Sequence, residues 1–278
     1  MNETLIQICS DLHLEARPFD EKTLIPSADI ICIAGDIESV TTEKTLKTFD
    51  EFFAKISTQF KHIFFVCGNH EFYNDPKEDP KKYVTIDETY EIVTETLKKY
   101  QNVHFLRNQV YVLNGIRFVG ATLWSYIFEE KRDLISQCFS NFKLIYYFDE
   151  EKKKKLPMTP SHSSSIHAKE LEWIKSQAIE AKKENQKCVV LTHYGPSFSL
   201  VPSDSEQSVN SPIGSSFVSD LDYIFSDPSF DAICLWVYGH THFSRNMIIG
   251  NARVVSNQYG YPQEYEITNF KNKVIVKI

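Results

Sequence analysis

The apolar run Ala232-Ile-Cys-Leu-Trp-Val-Tyr238 ends abruptly in Gly239-His240-Thr241-His242, and this junction constrains the fold more than any other stretch of the chain. Seven apolar and aromatic residues suit an internal strand covered on both faces, and Gly239 lets the backbone turn sharply as it leaves the sheet. Such a strand delivers two imidazoles to one edge. Four other apolar runs end in the same way: Ile6 to Cys9 before Asp11 and His13, Ile30 to Ala34 before Asp36, Ile63 to Val66 before Asn69 and His70, and Cys188 to Leu191 before His193.

The carboxyl ends of parallel strands in an open α/β sheet line one crevice, where ligands bind. The spacing therefore predicts a single sheet that gathers Asp11, His13, Asp36, Asn69, His70, His193, His240 and His242 in one place. Buried carboxylates and imidazoles are costly when unpaired, and metal coordination is the usual way to satisfy such a cluster. Asp11 and His13 set an oxygen and a nitrogen donor two residues apart. Asp36 has two oxygens with which to bridge two cations, Asn69 offers an uncharged oxygen, and His70 can point at a substrate.

The 278 residues are 42% hydrophobic and 24% charged, which leaves ample material for a core. Ligand-bearing strands spread from residue 5 to residue 242 argue for one domain. A formal net charge of -7 and a pI near 5.7 speak against a broad nucleic-acid surface. No basic n-region or long apolar run precedes the first strand, so neither a signal peptide nor a membrane span is expected, and the setting is expected to be cytoplasmic. The six cysteines fall mostly inside apolar strand runs, where free thiols in a reducing compartment are expected rather than disulfides.

Four helices are expected: one capped by Thr41 or Thr42 with Leu46, Phe49, Phe53, Ile56 and Phe60 at helical spacing, one near 85–100, one from about Ser164 to Lys183, and a short one from Ser219 to Phe225. Asn114-Gly115 between apolar runs signals a hairpin, so antiparallel strands join the parallel ones. Residues 123–161 are irregular and rich in aromatics, and read as a cap-like insertion over the site mouth or a helix pair packed on the body. The run Lys152 to Lys155 reads as a solvated turn. The polar loop 203–216 could close over a ligand. His62, His162 and His167 are expected at the surface.

Taken together, Asp11-Leu-His13, Gly35-Asp36, Gly68-Asn69-His70-Glu71, His193 and Gly239-His240-Thr-His242 resemble, in order, the five-block signature of calcineurin-like metallophosphoesterases. The resemblance spans residues 11 to 242 and implies a four-layer α/β/β/α sandwich with mixed sheets and a dinuclear site at the strand ends. It implies that Asp11, His13 and His242 hold one metal, that Asn69, His193 and His240 hold the other, and that Asp36 bridges them. His70 would be no ligand but would bind the scissile phosphate or protonate the leaving oxygen. Mixed nitrogen and oxygen donors without thiolate suit Mn, Fe, Zn or Co better than Ca or Mg. The implied chemistry is in-line attack of a metal-bridging hydroxide on phosphorus, with no covalent intermediate.

Two departures narrow the group. Asp36 is followed by Ile37-Glu38-Ser39-Val40 and not by Asp-Arg-Gly, which disfavours the protein Ser/Thr phosphatases. Ser39 stands where purple acid phosphatases carry a tyrosine ligand. The expected substrate is a small phosphorylated metabolite or nucleotide, with a diester favoured slightly over a monoester. The alternatives are a nuclease of the same fold and a metal-binding scaffold without catalysis.

Overall fold

The computed structural model of the chain describes residues 3–264 and 266–278. In chain order the strands are β1 (Leu5–Cys9), β2 (Ile30–Ile33), β3 (His62–Phe65), β4 (Val103–Phe105), β5 (Gln109–Leu113), β6 (Ile116–Ala121), β7 (Tyr146–Asp149), β8 (Lys154–Pro157), β9 (Lys187–Thr192), β10 (Ile233–Val237), β11 (Asn246–Ile249), β12 (Ala252–Val255) and β13 (Ile275–Lys277). The helices are α1 (Glu43–Ile56), α2 (Ile86–Leu97), α3 (Arg132–Cys138), α4 (Asn141–Leu144) and α5 (Pro160–Lys183).

One sheet has the order β13-β1-β2-β3-β4, and a second has the order β11-β12-β10-β9-β6-β5. Inside each the pairing is parallel, while β13, β5 and β11 run antiparallel at the margins. The ligand-bearing strands thus divide between two sheets, β1 to β3 in one and β9 and β10 in the other, in place of the single sheet expected from their spacing. An apolar run records that both faces of a strand are covered. It does not record which strand is its neighbour.

The sheets face each other across Ile6, Ile8, Cys32, Phe64, Phe118, Val189 and Leu235, with the Phe64 and Phe118 rings stacked at 3.9 Å. Alternate residues of the same strands point outward: Ile31, Ile33 and Phe65 pack under α1 and α2, and Val119, Val190 and Trp236 pack under α5. Each fully buried Phe or Ile contributes roughly 1.5–3 kcal/mol. The result is an α/β/β/α sandwich whose strand ends open on one side.

Local sequence accounts for the helix boundaries. Thr42 and Thr45 form a capping box for α1, and Thr85 and Glu88 do the same for α2. The third helix begins earlier than expected, at Pro160, because Thr159 caps it and proline in the first turn gives up no helical bond. Residues 123–161 contain α3, α4 and the β7–β8 hairpin, and Cys138 to Asn141 border the cavity that also reaches Asp36 and His240.

His167 overturns the expectation of a surface histidine, since it is only 3% exposed. The Ser-rich start of α5 is turned inward: Ser163 Oγ donates to the Ser125 carbonyl, Ser164 Oγ accepts from the Ile127 amide, and His167 Nδ1 donates to the Trp124 carbonyl. These polar side chains satisfy backbone groups of a segment that has no strand partner there. His162 is half-buried against Tyr147, and His62 is half-buried with its Nδ1 3.1 Å from His104 Nε2. All six cysteines are free thiols; Cys9, Cys32, Cys67 and Cys188 are buried, and Cys138 is exposed.

Candidate metal centre

The turns that follow the strands hold unusual backbone. Asp11, His13, Asp36, His240 and His242 take φ values of 54, 47, 54, 71 and 50°. Asp and His tolerate this left-handed region better than most residues, yet each instance costs on the order of 1–3 kcal/mol unless the surroundings enforce it. Here the two sheets enforce it through one another. His240 N donates to Asp11 Oδ1 at 2.9 Å, His242 N to Gln258 Oε1 at 2.6 Å, and Gly239 N to the His193 carbonyl at 2.8 Å. A Cβ on Gly68 would lie 2.2 Å from Asp36 Oδ1, and one on Gly239 would lie 2.7 Å from Asp11 Oδ2, so both positions must lack a side chain for the carboxylates to sit where they do.

Every expected site residue converges. Donor atoms of Asp11, His13, Asp36 and His242 lie within 4.8 Å of one another, as do those of Asp36, His193 and His240. Asn69 Oδ1 sits 2.9 Å from His193 Nε2, directed inward because Asn69 Nδ2 donates to Tyr73 and Asn141. Asp36 belongs to both groups: its Oδ2 is 3.2 Å from His193 Nε2 and 3.8 Å from His13 Nε2.

The outer nitrogens of the imidazoles are all engaged. His13 Nδ1 bonds Glu15 at 2.8 Å, His242 Nδ1 bonds Glu264 at 2.6 Å, His193 Nδ1 donates to the Ala34 carbonyl at 2.6 Å, and His240 Nε2 faces the Ser216 carbonyl at 3.3 Å. Such partners set the tautomer and aim the opposite nitrogen into the site. Burial lowers the pKa of His13 and His240. Burial also works against a charged His193, but the Asp36 carboxylate outweighs it and raises that imidazole to about 9, and Asp36 itself is held well below the usual carboxylate range.

Behind the site, Glu71 ties the turns together. Its carboxylate accepts from the amides of Asp36 at 3.1 Å, Ile37 at 2.7 Å and Gly68 at 2.6 Å. His70 packs edge-on against His13, ring centroids 4.4 Å apart, and shares Glu15 with it. Its Nδ1 is 2.8 Å from the same Glu15 oxygen that holds His13, and its Nε2 is 3.1 Å from Tyr261 Oη. Burial disfavours its charged form, but Asp36 and Glu15 prevail and raise its pKa. Glu15, pulled down to about 2 against its own burial by His13 and His70, stays ionised.

The donor set fits metal ions. The Nε2 atoms of His13 and His242 face each other across 2.9 Å; burial works against a charged His242 but Glu264 and Asp11 raise its pKa, and when both rings are neutral the two Nε2 lone pairs oppose each other, while Asp11 Oδ2 is buried without a hydrogen-bond partner. Converging lone pairs and an orphaned carboxylate oxygen are what a cation would satisfy. In front of the site opens a cavity of about 770 Å³ whose walls include Phe139, Phe217, Phe243 and Tyr261. Asp204 and Glu206 stand at its rim, and no Lys or Arg lines it among the described residues.

Glu15, Tyr261 and Glu264 were not singled out from the sequence. Glu15 had a signal, since it continues the alternation of Asp11 and His13; Tyr261 and Glu264 lie in an irregular loop and had none.

A four-layer sandwich carrying a His/Asp cluster at its strand ends defines a metallophosphoesterase, and the chain belongs to the calcineurin-like phosphoesterase family, which it matches over residues 5–244. A protein of Acanthamoeba polyphaga mimivirus, described as uncharacterized, is 31% identical over 275 residues, covering 94% of this chain and 92% of that one. Among solved structures, a phosphopantetheinyl hydrolase from Mycobacterium tuberculosis superposes with a TM-score of 0.68 at 17% identity, covering 99% of this chain and 96% of its own. A dimetal phosphatase from Danio rerio does so with a TM-score of 0.51 at 13% identity, covering 92% and 87%. These two likenesses carry the fold.

Proposed function

We propose that the protein is a two-metal phosphoesterase acting on a small phosphorylated metabolite or nucleotide, with a phosphodiester preferred over a monoester. The observation that carries this reading is the convergence of seven donor residues from two sheets beside a histidine that keeps to the cavity side. Asp11, His13 and His242 would hold one ion and Asn69, His193 and His240 the other, with Asp36 shared. Mn, Fe, Zn or Co suits these donors. When bound, two such ions supply neutralisation of phosphoryl charge and water of lowered pKa.

The chain's own groups do the rest. Glu15 accepts from His70 Nδ1 and, with Asp36, favours the imidazolium over its own burial, so that a second proton sits at Nε2 beside Tyr261. From there it can be given to a departing alkoxide, a contribution of roughly 100- to 10,000-fold. Alkoxides are poor leaving groups, so a positioned acid brings alkyl esters, diesters included, within reach. The aromatic walls shield the site from water on the leaving-group side.

The walls also argue against polyanions. Nucleic-acid grooves carry Lys and Arg for the backbone, and this cavity presents carboxylates instead. A compact phosphoester with an uncharged organic part suits it better than an oligonucleotide.

The test is hydrolysis of bis-p-nitrophenyl phosphate against p-nitrophenyl phosphate by protein stripped of metal and given back Mn, Zn, Co or Mg, with His70→Ala alongside. The diester is expected to be cleaved faster, and the variant, with its metal retained, to lose far more activity on an alkyl diester, whose alkoxide needs the proton, than on the p-nitrophenyl one. Preference for the monoester would overturn the diester assignment, and inertness with every metal would favour a binding scaffold.

A further inference from the structure

On the outer face of the second sheet, α5 and the 195–221 loop enclose a separate cavity of about 390 Å³ that shares no lining residue with the metal-centre cavity. Its walls are Tyr126, Phe128, Leu171, Phe198, Val218 and Leu221. One imidazole interrupts this apolar surface. His167 is 97% buried by its 3% exposure, and its Nδ1 donates to the Trp124 carbonyl at 2.5 Å. That bond fixes the tautomer and leaves Nε2 an acceptor, for which the described residues provide no partner. Nε2 is also absent from the atoms sealed away without a partner, so it retains accessible surface, and the cavity is where that surface can lie.

No protein donor satisfies this acceptor, which leaves it to solvent or a ligand, and it is set in a pocket of the size and character of small-molecule sites, apolar with few polar groups. The rim selects further. Glu172 and Asp220 line it and, among the described residues, no Lys or Arg does, which turns anions away. The Phe128 and Phe198 rings, with centroids 6.5 Å apart and planes 32° from parallel, each offer an aromatic face on which a planar body can stack.

We propose that this cavity is a second ligand site, for a small uncharged planar ring bearing one O–H or N–H donor, bound with the donor on His167 Nε2 and the ring among Phe128, Leu171 and Phe198. Burial keeps His167 near a pKa of about 4, so at neutral pH the ring nitrogen stays an acceptor. The site is placed to be felt at the metal centre. Val218, in its wall, pairs with Gly195 and follows Ser216 and Phe217, and both of these contact His240: the Ser216 carbonyl at 3.3 Å from Nε2 and the Phe217 ring at 5.6 Å.

The test uses the full chain and two probes of nearly one shape, 2-naphthol and 2-fluoronaphthalene, titrated calorimetrically. The naphthol is expected to bind with one-to-one stoichiometry and the fluoro compound, which has no donor, about tenfold more weakly, the usual effect of a lost hydrogen bond. Ala168→Phe, which fills the cavity from an exposed position of α5, is expected to abolish binding while bis-p-nitrophenyl phosphate hydrolysis persists. Equal affinity for the two probes, absence of saturable naphthol binding, or naphthol binding that survives in folded Ala168→Phe would overturn the proposal. The two-probe comparison on the unmodified chain decides the matter even if that variant does not fold.

Discussion

His13 and His242 meet with their Nε2 atoms 2.9 Å apart, one delivered by the turn after β1 and the other by the turn after β10. The contact joins the two sheets at their open edge. Each ring has a carboxylate on its other nitrogen, Glu15 for His13 and Glu264 for His242, so in the neutral state two acceptors oppose each other.

A cation between them should therefore hold the sheets together. Saturating metal at about a thousandfold above its dissociation constant contributes about 4 kcal/mol, and for a chain of this length roughly 5–10 °C in melting temperature. Scanning calorimetry before and after chelation should show that drop, and metal added back should reverse it. An unchanged transition would mean that the cluster is satisfied without a cation.

Gly68→Ala and Gly239→Ala should disable the site without unfolding the protein. The new methyl would sit 2.2 Å from Asp36 Oδ1 in the first case and 2.7 Å from Asp11 Oδ2 in the second. Displacing a donor by about 1 Å typically costs about 100-fold in rate. Metal content by mass spectrometry and kcat for p-nitrophenyl esters should fall together, with Gly68→Ala the more severe.

Glu15 positions two imidazoles at once through one oxygen, 2.8 Å from each. Glu15→Gln keeps the shape but replaces a full charge, and removal of such supporting partners costs roughly 10- to 100-fold in metal affinity or activity. The expected loss falls on kcat more than on KM. A variant with unchanged kcat would show that His70 needs no orienting carboxylate.

Glu170 sets a pH dependence of stability remote from the metal centre. Burial raises its pKa to about 8, against the pull of the Trp124 and Leu123 backbone, from an ordinary value of 4.5. The folded state thus binds the proton more tightly than the unfolded chain. The stabilisation is complete below pH 4.5 and is lost as pH rises through 8. Glu170→Gln removes this slope, so urea titrations at several pH values should show the variant gaining on the parent by up to a few kcal/mol between those limits. A difference independent of pH would contradict a buried neutral Glu170.

The candidate donors were legible because each follows an apolar run, several with a glycine at the turn. Strand identity, helix capping by Thr42 and Thr85, and the Asn114-Gly115 hairpin were legible for the same local reasons. The partition of strands between sheets was not, because burial of both faces looks the same in either sheet. Nor was the burial of His167, since a Ser-rich helix start looks solvent-facing until the unpaired backbone of Trp124 to Ile127 is laid against it.

What the sequence by itself determined is the set of donors and the strands that carry them, both governed by residues close in the chain. Only the tertiary structure decided that Glu264 and Tyr261 reach the site, that Asp204 and Glu206 rim a cavity lined by no Lys or Arg among the described residues, and that His167 lines a second cavity. These are pairings over long separations, such as 22 residues from His242 to Glu264 and 191 from His70 to Tyr261. Local propensity carries no term for them, because their geometry exists only once the two sheets have packed.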